Sequence, residues 1–548
     1  MDYNFLPLAA DKLTIIVDGN VKEAQYLHFS KGFNEEVMKV LLELTDDEHF
    51  YNAECIVPVE MFLPYVNSIN AKAEAGVDPL LPLALFLSEY YREKNEQFEK
   101  MSADEKITFD HLPKLYTIGK EFLAKHHGEY VATVISETKV VTDMFGGKHL
   151  QITGPFIMST GKHFVLKDKT FTISQFGGLR YRKDLPVMLL EDFPEKKTDL
   201  VERGKLFKKY GLGAKHVHYT GNMFRMSYYG PVYFKAEGRC MADTVGYDAM
   251  NPSSSGRYDM ENHNYGGHGH KAANNVCDAD LPEEILHRTW PILRGFSFAS
   301  KSWGEMFVRN ASDIKFDDNA FEYLVLPQEK KELAKALITN VDKCFTDIIT
   351  GKSGGCIFLL YGPPGTGKTL TCEAIAELLH RPLYSITVGE LGITPQDLEH
   401  KLVQILDIAN SWDAVILIDE ADIFLEKRTE NDIIRNAMVG IFLRLLERHQ
   451  GVMFLTTNRA NSMDEAFRSR ISVVFEYEKL SQDTKYKVWQ NLLNASKVTI
   501  KDADVHKLLA HELNGRQIKN AIRMAQCLAF DRKEEFGFDQ LQTVIKHM

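Results

Sequence analysis

The sequence lacks long apolar runs, paired cysteines and any excess of positive charge. No stretch approaches the roughly 18 consecutive apolar residues of a membrane span; the nearest, 79–87, is short and runs straight into Glu89, Tyr90, Tyr91 and Arg92. The N-terminus has neither a basic start with a continuous apolar run nor an Arg-rich, acid-poor composition, so neither a secretory leader nor a transit peptide is expected. The seven cysteines (Cys55, Cys240, Cys277, Cys344, Cys356, Cys372 and Cys527) are scattered singly, with no CxxC pair. That argues for reduced thiols in a cytoplasmic setting. A formal net charge of −11 gives no global pull toward phosphate backbones, so nucleic-acid binding is possible but not favoured. The short basic runs at 205–209 and 330–331 read as solvated helix faces. No internal repeat is found.

What is present is an ordinary soluble composition, 44% hydrophobic and 26% charged, on a chain of 548 residues, which is long enough for two to four domains. Residues 1–128 read as mainly helical with some strand at the start; 35–44 is amphipathic, and 80–101 reads as one longer helix. From 129 to 250 short alternating runs separated by Gly-rich turns predict a β-rich barrel or sandwich, interrupted by a helix near 200–210. Residues 251–280 carry SSSG and HNYGGHGH with almost no apolar periodicity, which predicts a loop or linker. His263, His268 and His270 fall there without a completing ligand set, so a solvated loop is expected over a metal site. His126, His127, His216 and His218 are expected to be structural. A connector at 281–315 would then lead into an α/β core at 316–478 and a helical lid at 479–548.

The core carries the chemistry. The apolar run CIFLLY at 356–361 leads into GPPGTGKT at 362–369 and then a helix from Leu370. Strand, Gly-rich loop and helix in that order form a phosphate cradle, in which backbone N–H groups turn inward and the helix N-terminus adds positive potential. Gly362, Pro363, Pro364, Gly365, Thr366, Gly367, Lys368, Thr369 and Leu370 are the candidate nucleotide-binding residues. Lys368 would reach the β- and γ-phosphates of ATP, and the Thr369 hydroxyl would ligate Mg²⁺. About fifty residues on, AVILIDEAD at 414–422 reads as a buried parallel strand ending in carboxylates. Asp419 would hold Mg²⁺ through water, and Glu420 would polarise the attacking water.

Together these motifs resemble those of AAA ATPases. The resemblance is strong from about 316 to 545 and implies a P-loop AAA+ core of parallel sheet and flanking helices, with a helical lid. The strand VMFLTTN at 452–458 ends in Asn458 at the family's sensor-1 position. In DEAFRSR at 464–470 the resemblance implies an arginine finger reaching a neighbouring subunit, carried by Arg470 first and Arg468 second. Arg516, in NGRQIKNA at 514–521, falls where relatives place a sensor-2 arginine. Over a wider span, LVERGK at 200–205, TWPILRGF at 289–296 and RPLYSITVGELG at 381–392 resemble single-module AAA ATPases, known mostly from filamentous fungi, with a β-rich domain of unknown function before the core.

One absence separates the chain from threading motors of the family. The loop after the second core strand, VGELGITPQD at 388–397, carries no aromatic grip, and Pro395 stiffens it. The helix around 431–448 has two apolar stripes, Ile433, Ala437, Ile441, Leu445 and Ile434, Met438, Phe442, Leu446, which predict a core face. The expectation is a Mg²⁺-dependent ATPase acting as a ring-shaped homo-oligomer, a hexamer, that remodels a protein complex recognised through residues 1–315. The rivals are a nucleic-acid-linked loader or helicase and an ATP-gated scaffold.

Overall fold

The computed structural model describes residues 3–7, 13–18, 24–45, 47–52, 54–76, 78–252, 276–340, 355–427, 432–459 and 463–548. Most of the expected Gly- and His-rich linker, including His263, His268 and His270, lies outside the described residues. Among the described residues no helix is long and apolar enough to cross a membrane.

The α/β layer is built on five parallel strands in the order Leu383–Thr387, Val415–Asp419, Val452–Thr457, Cys356–Tyr361 and Val473–Glu476. The three middle strands are apolar because helices cover both faces, and each residue from Val415 to Ile418 and from Val452 to Leu455 is buried. The carboxyl ends of these three strands meet side by side, where parallel α/β sheets open a crevice. The lid follows as helices Gln482–Ala495, Asp502–Leu508, Gly515–Arg532 and Phe538–Ile545, with its own core around Trp489, Ile518 and Leu541.

Ahead of the α/β layer lies a β-rich body. A three-stranded, a four-stranded and a seven-stranded antiparallel sheet share one apolar core that runs in sequence from Ile107 to Ala311. The expected inserted helix is Pro194–Tyr210. Its Arg203 is buried and donates to the carbonyls of Tyr130 and Thr289, the latter at 2.8 Å, which ties the helix to the strand Glu129–Val134 and to the segment before the strand Ile292–Ser297. Three strands of the seven-stranded sheet, Ile292–Ser297, Ser302–Phe307 and the short Ala311–Ser312, come from the stretch expected as a connector. A separate four-stranded antiparallel meander opens the chain: Tyr3–Pro7, Leu13–Asp18, Ala24–Phe29 and Cys55–Pro58.

Two local expectations change. The single helix expected over 80–101 breaks at Tyr91 into Leu81–Tyr90 and Arg92–Ala103. Tyr91 is fully buried with its hydroxyl donating to the Val59 carbonyl at 2.7 Å, a tertiary demand that periodicity does not show. The helix Ile433–Leu446 buries Met438, Phe442, Leu445 and Leu446, but its first turn is not core: Ile433 is 80% and Ile434 61% exposed.

The β-rich body and the α/β layer share apolar packing. Met241 and Phe296 of the seven-stranded sheet belong to the same buried cluster as Ile357, Ile416 and Leu455. Around them Phe296, Phe298, Trp303, Tyr384 and Trp412 make ring contacts with centroids 5.2–6.1 Å apart. The Trp412 indole N–H donates to Asp243 Oδ2 at 2.7 Å, while Asp243 Oδ1 accepts from Gly246 N–H and caps the helix Thr244–Met250.

Candidate nucleotide site

The loop at 362–367 turns on its glycines. Gly362, Gly365 and Gly367 have φ of 146°, 76° and 103°. Two of the three also have no room for a side chain: a Cβ on Gly362 would lie 2.1 Å from the Tyr477 carbonyl oxygen, and one on Gly365 2.5 Å from the Asn514 side chain. Glycine is therefore required twice over, for conformation and for close approach. The helix Lys368–Leu379 starts directly from this loop.

Lys368 is buried and donates to the Gly362 carbonyl at 2.7 Å, the Pro363 carbonyl at 2.9 Å and Asn458 Oδ1 at 2.9 Å. Burial holds its ammonium below the ordinary lysine range, while Asp419 and Asp422 pull it back upward. The Thr369 hydroxyl lies 3.4 Å from Asp419 Oδ2, so two hard oxygen donors from two elements face one point. That donor set fits a small divalent cation.

The strand Val452–Thr457 organises both acidic residues. Thr456 donates its hydroxyl to Asp419 Oδ1, and the Thr456 hydroxyl oxygen accepts from Glu420 N–H at 3.0 Å. The Thr456 carbonyl accepts from Ala421 N–H at 2.9 Å. These bonds hold Glu420 in left-handed backbone at φ 56°, which costs a non-glycine residue about 1–2 kcal/mol. The exposed Glu420 carboxylate is thus aimed by strained backbone. Next along, Asp422 Oδ1 accepts from the Thr457 hydroxyl and from Asn458 N–H at 3.2 Å, and so fixes the turn that presents the Asn458 amide.

These groups line a cavity of about 910 Å³. Pro364 through Leu370, Asp419, Glu420, Asn458 and Arg516 are on its wall; Gly362 and Pro363 sit behind it as acceptors for Lys368. Residues not singled out from sequence join them: Glu373 and Thr371 from the P-loop helix, Tyr477, the segment 323–326, and Lys519 from the lid. Thr371 and Tyr477 share a buried 2.7 Å hydrogen bond. Thr456 and Thr457 stand inside the quoted strand, and two adjacent hydroxyls before Asn458 were the available signal. The lid closes the cavity by backbone: Gly515 N–H donates to the Gly365 carbonyl at 2.9 Å.

Arg468 and Arg470 lie off the wall of this cavity. Arg470 donates to the Ala466 carbonyl at 2.7 Å and pairs with Glu447 at 2.5 Å, whereas Arg468 is exposed at the end of the short helix Glu465–Arg468.

Residues 358–479 match the family model described as ATPase family associated with various cellular activities (AAA), and 97–194 match one described as a domain of unknown function (DUF7025). Among curated proteins, the chain is 32% identical over 201 residues to ATPase family gene 2 protein of Schizosaccharomyces pombe (33% of this chain, 24% of that protein). It is 30% identical over 261 residues to the ATPase family AAA domain-containing protein FIGL1 of Arabidopsis thaliana (45% and 36%). It is 32% identical over 174 residues to the Arabidopsis thaliana protein SUPPRESSOR OF K(+) TRANSPORT GROWTH DEFECT 1 (30% and 38%). The matches therefore span about a quarter to two-fifths of these relatives.

Proposed function

We propose that the AAA ATPase domain carried by this chain hydrolyses ATP with Mg²⁺, in a ring-shaped homo-oligomer that remodels or disassembles a protein complex in the cytoplasm. The observation that carries the reading is the convergence of Lys368, Thr369, Asp419, Glu420 and Asn458 on one cavity at the carboxyl ends of three neighbouring parallel strands. Thr369 and Asp419 would hold Mg²⁺, whose charge offsets that of the phosphates when it is bound. Lys368 leaves its carbonyl acceptors for the β- and γ-phosphates. Glu420 takes up the proton of a water oriented jointly with the Asn458 amide.

Arg516 approaches the γ-phosphate from the lid. Arg468 and Arg470 are the candidate fingers for a neighbouring subunit: the exposed Arg468 is free to reach outward, and Arg470 would exchange Glu447 for the neighbour's phosphate. A hexamer is the ring expected of this arrangement, and the chain would sit with the fungal-type single-module AAA ATPases. The partner would be engaged by residues 1–315. Ile393, 84% exposed, is the apolar side chain offered by the loop after the second core strand. It gives less contact area than an aromatic grip, which supports moving an intact partner over threading an extended one.

Glu420→Gln tests the reading. The variant should bind ATP as the wild type does and lose turnover by at least about 10²-fold, the usual contribution of a positioned base. Wild-type rates in the variant, or hydrolysis that depends strongly on added DNA or RNA, would contradict it.

A further inference from the structure

The β-rich body reaches the nucleotide site from behind. Glu377 lies nine residues after Lys368 on the P-loop helix. Its Oε1 accepts from Arg239 Nη2 of the strand Gly238–Ala242 at 2.7 Å, and its Oε2 accepts from Asp317 N–H at 3.0 Å. The Arg239 guanidinium lies 4.8 Å from the centre of the Phe316 ring. Phe316 stacks at 4.4 Å and 20° on His380, the residue that ends the same helix. His380 in turn bonds Asp318 at 2.6 Å.

Arg239 and Glu377 are 30% and 26% exposed, so the pair is partly shielded from water and from salt. Arg239 also shares the cavity wall with the P-loop, together with His216 and Phe298 of the same body. The helix itself has only 12 residues, about 18 Å of rigid rod. Holding its carboxyl end therefore fixes the direction in which its amino end presents N–H groups, Lys368 and Thr369.

We propose that Arg239 is a positioning residue for nucleotide binding: through Glu377 the β-rich body sets the P-loop helix, which makes this body a working part of the ATPase. The inference rests on the ATP-hydrolysing reading above and gives the β-rich region a task within it. A partner that displaces the body would change nucleotide affinity, and by linkage nucleotide would change the partner's affinity.

The test is a double-mutant cycle on the full chain with Arg239→Met, Glu377→Met, the pair of substitutions, and the charge swap Arg239→Glu with Glu377→Arg. Steady-state ATP hydrolysis, binding of a fluorescent ATP analogue and thermal melting are read for each. The expected result is a rise in KM and analogue Kd of roughly 3- to 10-fold in each single variant with kcat within about twofold, the mark of lost binding without lost chemistry. The double variant should be no worse than the weaker single, and the swap should recover to within about threefold of wild type. Lowered melting with unchanged KM and Kd would make the pair a packing staple and overturn the proposal; additive effects would overturn it too. Should a single variant not fold, the swap decides: wild-type-like affinity supports the proposal, and a tenfold loss overturns it. Absence of hydrolysis in the wild type would instead strike the ATPase reading, while analogue binding would still report on the pair.

Discussion

The α/β layer, the proposed ATPase layer, has two junctions, and they are made of different materials. Toward the β-rich body the contact is chiefly aromatic and buried, with the Arg239–Glu377 pair at its edge: Met241 and Phe296 share the α/β core, and the Trp412 indole is bonded to the buried carboxylate of Asp243. Toward the lid the contact is polar and sparse. The lid keeps its own core and meets the P-loop through the Gly515–Gly365 backbone bond, the Asn514 side chain against Gly365, and the open cavity. Interfaces that share a core move as one unit, whereas few apolar contacts and backbone bonds beside a cavity mark the low-stability end of a molecule. The difference teaches where motion belongs. Nucleotide binding should rearrange the lid junction, and the β-rich body should travel with the ATPase layer.

The comparison is broken most strongly at Trp412. Trp412→Ala removes a buried indole and deprives Asp243 of a donor; it should cost about 3–5 kcal/mol in denaturant unfolding. The transition that weakens should include both the β-rich body and the ATPase layer. Trp412→Phe keeps the ring packing but not the bond, and should cost about 1.5–3 kcal/mol, the worth of a hydrogen bond to a charged group. If Trp412→Ala unfolded the β-rich body alone, the shared core would be refuted.

A smaller effect is expected at the other junction. Asn514 caps the lid helix Gly515–Arg532 in a reciprocal pair with Gln517, both bonds at 2.9 Å. Asn514→Ala should cost about 1 kcal/mol. Hydrogen exchange should quicken at the start of that helix, with no change around Trp412.

Much of the site was legible because its parts are local. The phosphate loop, the acidic pair and Asn458 each end a strand, and their motifs specify strand, turn and carboxylate within ten residues. Lys368 and Asn458, 90 residues apart, meet because their parent strands are neighbours in a parallel sheet. The β-rich body was legible as alternating runs, whereas its attachment was not. Asp243 and Trp412 are 169 residues apart and Arg239 and Glu377 are 138 apart, and neither pairing leaves a trace in periodicity or composition. The break at Tyr91 and the exposed Ile433 and Ile434 have the same origin. Periodicity reports which residues suit a buried face, and tertiary packing decides which of them it covers.

Hydrogen exchange of the Glu420→Gln chain, with and without Mg²⁺ and ATP, tests the central claim most directly. Protection should rise at 365–371 and 514–519, where P-loop and lid would close on the nucleotide. It should stay high, and change far less than at the lid, at 241–247, 292–297 and 408–412. New protection or loosening at the β-rich junction with a silent lid would contradict the account.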